Sequence, residues 1–318
     1  MIHQGQIPAT ADTVEQVMRD ELADGDGVLI ATRPILAMLL VNRDQSLFSD
    51  EVIARIRGMI GHVAQQALLA CGEAGDQADP ADMVAEAHEG LTQLLLADAA
   101  LLSHAHALTQ EFALAEQLHR RSGIDGVLSP LLQELAASSD AALAAAAMRV
   151  IAAQARFLQQ MRRMELPLAE LPGDLFHKAL LLMQNCLDDS PVAVAGAATL
   201  RAGYDEGEGR LGQLSRLVSA LGPRATRALA IDHAGPALFA TALGMASDQD
   251  RNLVLLSFGE NQLARLALAL RAAGLGQSAV EEQFIYLHPD ALLPEGFDAL
   301  IPARAAALLA AARVERAG

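Results

Sequence analysis

The sequence predicts an all-α protein, and three observations carry that prediction. Apolar residues make up 52% of the 318, enough to bury a large core. Aromatics are only 3%, with no Trp and two Tyr, so that core must be built from Ala, Leu, Val, Ile and Met. Ala and Leu are strong helix formers, whereas the aromatic residues that strands favour are scarce. Finally, apolar residues recur at helical spacing, as in Val52, Ile56, Ile60, Val63 and Ala67.

The elements follow in order. A polar tail precedes a short helix around Val14 to Leu22, and Asp24-Gly25-Asp26-Gly27 reads as the turn that ends it. Pro34 suits the first turn of a helix running to Val41. Ser49-Asp50-Glu51 supplies an N-cap and early acids for a long helix to about Ala70. Asp79-Pro80 caps the next, whose inward stripe is Val84, His88, Leu91 and Leu95. Ser103 is the expected cap of a helix through Leu108, Phe112, Ala115 and His119 that stops at Gly123. A shorter helix spans Ile124 to Ala136, and Asp140 opens one with Leu143, Ala147, Val150, Gln154, Phe157 and Met161 on one side.

Pro167 and Pro172 prevent the segment 166–173 from continuing as a helix, because proline removes a donor and clashes with the preceding turn. The expected organisation is therefore a bundle of longer helices over residues 1–165, a Pro-rich connection at 166–173, and an array of short helices over 174–318. In that last part Asp174 reads as an N-cap, and Ser190-Pro191 as a cap followed by proline at the first helical position. Turns fall near Gly203–Gly209, Gly222-Pro223, Gly235-Pro236, Ser247–Asp250, Gly259, Gly274–Gly276, His288-Pro289 and Pro294–Gly296. Short helices with brief connections predict an α-solenoid-like array or an irregular bundle, and no fixed repeat period is visible.

Leu171-Pro172-Gly173-Asp174-Leu175-Phe176-His177, followed by an apolar helix, resembles a segment of the bacterial family called domain of unknown function 2336. Gly235-Pro236-Ala237-Leu238-Phe239-Ala240-Thr241-Ala242-Leu243 and Leu270-Arg271-Ala272-Ala273-Gly274-Leu275 are similar to it as well. The resemblance covers roughly the C-terminal half and departs from the family after His177, where a more aromatic helix is expected. It implies a helical fold and carries over no functional residues, because the family has no assigned activity.

A formal net charge of -16 repels nucleic acid and anionic membrane and favours solubility, so neither is an expected partner. Among the 23 cationic side chains only Lys178 is a lysine. Cys71 and Cys186 are isolated and read as free thiols in a reducing compartment. Residues 1–5 show no basic stretch leading into an apolar one, and no run reaches the ~20 uncharged apolar residues that span a bilayer. A cytoplasmic location is the expectation.

Catalytic motifs are sparse. Gly207-Glu208-Gly209-Arg210-Leu211-Gly212 matches G-x-G-x-x-G, but a helical segment precedes it where a dinucleotide fold needs a strand, and Asp205, Glu206 and Glu208 would repel phosphate. It reads as an inter-helix turn. No Walker A loop, G-x-S-x-G elbow or H-E-x-x-H pair is present. No cofactor is expected.

Two constellations remain. Glu116 and His119 form E-x-x-H, the spacing of carboxylate-bridged di-iron bundles, and lie on the helix after His88 and Glu89. His88, Glu89, Glu116 and His119 are thus candidate metal ligands. Against them, a di-iron site needs a second E-x-x-H, and the partial match Asp174-x-x-His177 is explained by capping. Buried histidines in a polar seam are the commoner meaning. Arg149, Arg156 and Arg163 recur every seven residues on one helix face, with Arg162 beside it. They are either a docking ridge for an acidic or phosphorylated partner, or a solvated face paired with carboxylates such as Glu165 or Glu134. The functional expectation is a non-enzymatic helical adaptor or regulatory protein that binds a protein partner; a helical-bundle metalloprotein is the alternative.

Overall fold

The computed structural model describes residues 11–41, 50–74 and 80–312. Among them are fourteen α-helices and no strand. The first six are α1 (Ala11–Val41), α2 (Asp50–Ala74), α3 (Pro80–Ala97), α4 (Ala99–Ser122), α5 (Pro130–Ala136) and α6 (Ala141–Arg162). There follow α7 (Gly173–Cys186), α8 (Pro191–Gly203), α9 (Arg210–Leu221) and α10 (Ile231–Ser247). The last are α11 (Arg251–Leu256), α12 (Leu263–Ala272), α13 (Gln277–Leu287) and α14 (Pro302–Ala311). Helices α1 to α4 and α6 are longer than all those after residue 173, as expected.

Several ends follow from local chemistry. Asp140 Oδ1 accepts from the amides of Ala142 and Leu143, Ser129 Oγ from Leu132, and Ser190 Oγ from Ala193. Each satisfies first-turn donors that the helix itself leaves unpaired. Gly123 closes α4 in the left-handed region at φ 68, where a side chain would be strained.

Other ends differ from expectation. Asp98, five residues before Ser103, caps α4 through Ala100 N and Leu101 N at 3.0 Å. Asp174 lies inside the first turn of α7, with Pro172 at the cap position. The Asp79 cap and Ser49 lie outside the described residues. Gly235-Pro236 breaks the backbone as expected: Gly235 is non-helical, with φ 71 and ψ 164, so α10 is two helical segments joined at a sharp kink ahead of Pro236.

The largest difference is α1. Asp24-Gly25-Asp26-Gly27 is helical within one continuous α1, and Pro34 sits inside it. Tertiary contact overrides local propensity here. A Cβ on Gly25 would lie 2.8 Å from Asn261 O, and Gln262 Nε2 donates to Gly25 O at 2.6 Å. Next to it, Asp26 Oδ1 accepts from Arg265 Nη2 at 2.5 Å in a pair that is almost wholly buried.

Two apolar cores form. One joins α2, α3, the first half of α4, the end of α6, α7 and α8. The other joins the first half of α1, the end of α4, α5, the start of α6 and helices from α9 onward. The segment 166–173 separates α6 from α7, but both cores draw on residues from either side of it. Helix α10 is buried over almost its whole length and touches α4, α5, α9, α11, α12 and α13. A solenoid unit meets only its neighbours, so these helices form an irregular bundle around α10. Elsewhere the packing is close enough to need glycine: a Cβ on Gly196 of α8 would lie 2.7 Å from Cys71 Sγ and 2.8 Å from its Cα on α2.

By length and composition, α6 is the one helix among the described residues that could cross a membrane. Arg149 and Arg156 interrupt it, and its Leu143, Ala147, Val150 and Phe157 side is packed into the two cores.

Candidate interaction surface

A buried polar centre sets the orientation of α6. Glu111 of α4 is wholly buried, yet it binds two arginines brought from distant parts of the chain. Arg210 Nη1 and Nη2 donate to its Oε1 and Oε2 at 2.7 and 2.9 Å. Arg251 donates to the same two oxygens at 2.9 and 3.1 Å. Burial pushes the Glu111 pKa up, but the charges and hydrogen bonds of Arg210 and Arg251 outweigh it and hold the group at about 2. Helix α6 contributes Gln154, whose Oε1 accepts from Arg210 Nη1 at 3.1 Å, and Phe157, whose ring centre lies 3.6 Å from the Arg210 guanidinium. With Gln154 and Phe157 held inward, the opposite face of α6 must point to solvent.

Beside this centre sits His104, with Nδ1 donating to Asn252 Oδ1 at 3.0 Å. Burial dominates its pKa, and the nearby Arg251 and Arg210 add to that effect; the Asn252 bond and Asp250 oppose it, leaving the pKa at about 4. Its Nε2 is buried without a hydrogen-bond partner among the described residues, so an added proton there would have no acceptor. Burial likewise lowers His106 to about 4, and Gln110 Nε2 lies 3.2 Å from its Nε2. Both imidazoles are neutral when folded and take up protons near pH 6.5 when unfolded. Their contribution to stability is therefore complete above pH 6.5 and lost as pH falls towards 4. The expected slope is up to about 1.4 kcal/mol per pH unit for each histidine. Glu111 extends the loss from the ordinary carboxylate range down to about 2. Urea midpoints measured from pH 7 to 4.5 check this, and a flat profile would contradict it.

The outward face of α6 consists of Ala142, Ala145, Met148, Arg149, Ala152, Arg156 and Gln159, and Arg163 follows at the helix end. All are exposed, Met148 by 57%. The helix contains no Asp or Glu. Among the described residues the guanidinium groups of Arg149, Arg156 and Arg163 have no hydrogen-bond or ion-pair partner. The anticipated pairing with Glu134 is absent, because Glu134 binds Arg227 and lies near His233 instead. Only Arg162, at the flank, is paired, with Glu116 at 3.2 Å.

That pair borders a groove of about 330 Å³ between α4, α6 and the loop that follows Gly123. Ala115, Val127, Ala155 and Leu158 supply its apolar lining, and Glu116, His119, Asp125, Gln159 and Arg162 its polar lining. Asp125 accepts from the amides of Val127 and Leu128 at 2.7 and 2.9 Å. The Leu128 bond does most to hold its pKa below the ordinary value. Gln159 belongs to both the groove and the exposed face, so the two are continuous.

The four candidate metal ligands do not converge. His88 faces α2 and donates from Nε2 to Gly61 O at 2.9 Å, while exposed Glu89 accepts from Gln93. Glu116 and His119 share the groove, but Glu116 is engaged by Arg162. No group of three or more His, Cys, Asp or Glu side chains is placed to hold a metal among the described residues. The glycine-rich segment is the turn into α9, with Gly209 at the cap position. Sequence reasoning passed over the arginine inside it, Arg210, which is one of the two arginines of the buried centre. Its only local signal was a cation next to a helix start.

Comparison with protein-family models, curated proteins and solved structures finds no match.

Proposed function

We propose that this chain is a non-enzymatic helical adaptor that binds a protein partner through the outer face of α6. One observation carries the reading: three arginines at helical repeat stand exposed, without ionic partners among the described residues, on a protein of net charge -16. Exposed arginines on so acidic a surface have carboxylates available to them, and leaving three in one row unpaired favours an external acceptor. The largest internal charge cluster supports the same reading. Arg210 and Arg251 are both committed to Glu111 and leave no donor pair aimed at a substrate. We place the protein in the cytoplasm, in keeping with its free thiols, of which Cys71 is buried with its pKa raised to about 11.

Arg156→Glu should abolish capture of a salt-sensitive partner from native lysate, with the circular dichroism spectrum and thermal midpoint nearly unchanged. Arg156 is exposed and makes no ion pair among the described residues, and surface charges of this kind contribute about 0–1 kcal/mol to folding. Capture of the same partners by both proteins would sink the reading. A fall in the thermal midpoint by many degrees would show that Arg156 serves the fold instead.

A further inference from the structure

The geometry points to one class of occupant for the α6 face: an acidic α-helix of another protein, laid along α6 with a carboxylate opposite each of Arg149, Arg156 and Arg163. This rests on the adaptor reading above and adds to it the chemistry of the partner.

The spacing selects a helix. Seven residues on α6 advance the chain by about 10.5 Å and return to nearly the same face. A partner helix running alongside repeats at the same interval, so acids seven residues apart meet all three arginines. A strand advances about 3.3 Å per residue and would have to place its acids about three residues apart, on alternating faces. Ala142, Ala145 and Ala152 lie between and beside the arginines. Small side chains at a helix contact let the two axes approach to the near end of the usual 8–10 Å range. The guanidinium groups then reach around the partner helix rather than holding it off.

The same charges argue against a second copy of this chain on this face. A symmetric α6–α6 contact would place six guanidinium groups together with no carboxylate from either helix. The adjoining groove adds a second recognition element. Its apolar lining of Ala115, Val127, Ala155 and Leu158, beside Gln159, suits one large apolar side chain on the flank of the partner helix. Its volume of about 330 Å³ is ample, since a cavity of roughly 150 Å³ already holds benzene. Arg162 in the groove is already paired with Glu116, and Asp125 lies beside them, so the groove suits the apolar anchor and the acidic row belongs on the arginine face.

Ionic strength separates the local attraction from the repulsion due to the overall negative charge. At 0.15 M salt the Debye length is about 8 Å, which screens distant acids and leaves contact pairs intact; at 1 M it is about 3 Å. The test uses a labelled helical peptide of Ala and Leu with Glu at three positions seven residues apart, and a control peptide with Gln at those positions. Fluorescence anisotropy at 0.15 M should show the Glu peptide binding at least about tenfold more tightly than the Gln peptide. The advantage should vanish at 1 M salt and in the triple variant Arg149→Gln, Arg156→Gln, Arg163→Gln. Ala155→Phe, which fills the groove, should weaken binding while keeping the Glu preference. Circular dichroism should show both variants folded. Equal binding of the two peptides, or of the Glu peptide to wild type and triple variant, overturns the proposal. So does binding to phosphatidylserine vesicles, or self-association in sedimentation, that the triple variant loses. If Arg156→Glu loses a captured partner while the Glu peptide fails to bind, the adaptor reading stands and the acidic-helix inference falls.

Discussion

Glu111→Ala should destabilise the fold by about 3–5 kcal/mol, the range for removing one member of a buried ion pair. That is a large part of the ~5–15 kcal/mol by which a protein is stable. The loss comes from what is left behind. Arg210 and Arg251 would keep two positive charges in an interior where each now shares both Glu111 oxygens. Neither can swing out to water without disturbing other contacts, because Arg210 stacks on Phe157 and Arg251 Nε donates to Thr241 at 3.0 Å. Glu111→Gln preserves the shape and removes the charge, so it should lose most of the same stability. Urea unfolding at pH 7 measures both, and a change below about 1 kcal/mol in either would show that the centre is not held by charge.

Asp26→Ala should cost a comparable amount, about 3–5 kcal/mol, for the same reason. Arg265 is about 1% exposed, and its Nη2 meets Asp26 at 2.5 Å while Nη1 donates to Gln249 Oε1 at 2.8 Å. Gln249 carries no charge to replace the carboxylate. The damage should concentrate on α1, which spans both cores through Val14, Met18 and Leu22 at one end and Leu36 at the other. Limited proteolysis of Asp26→Ala should therefore cut within α1 before any other helix, alongside a lowered urea midpoint. Cleavage elsewhere first would contradict this placement.

Both residues mark the limit of what a sequence shows. The helical class was legible because it rests on composition and on 3.6-residue spacing, each present in every window. Caps at Asp140 and Ser190 and the stop at Gly123 were legible because their partners are within a few residues. Asp24-Gly25-Asp26-Gly27 looked like a turn because local propensity favours one. The ion pair that holds it helical joins residues 239 apart. Nothing local marks Glu111 on α4, because its partners lie 99 and 140 residues away. The arginine ridge was visible for the opposite reason, since a seven-residue repeat on one helix is a local pattern. Its lack of ionic partners among the described residues was not visible, because it depends on where carboxylates such as Glu134 fall in the fold. Among the candidate metal ligands, only the i, i+3 pair Glu116 and His119 was brought into one groove; His88 turned towards Gly61 on α2.

Site-specific photocrosslinking from α6 tests the central claim most directly. A benzophenone side chain at Ala152, between Arg149 and Arg156 on the exposed face, is compared in native cells with one at Ile285, which is 64% exposed on α13. A discrete crosslinked protein from position 152, absent from 285 and lost when Arg149, Arg156 and Arg163 are replaced by Gln, is the predicted result. No product from 152, or the same products from both positions, would contradict the assignment of α6 as the docking face.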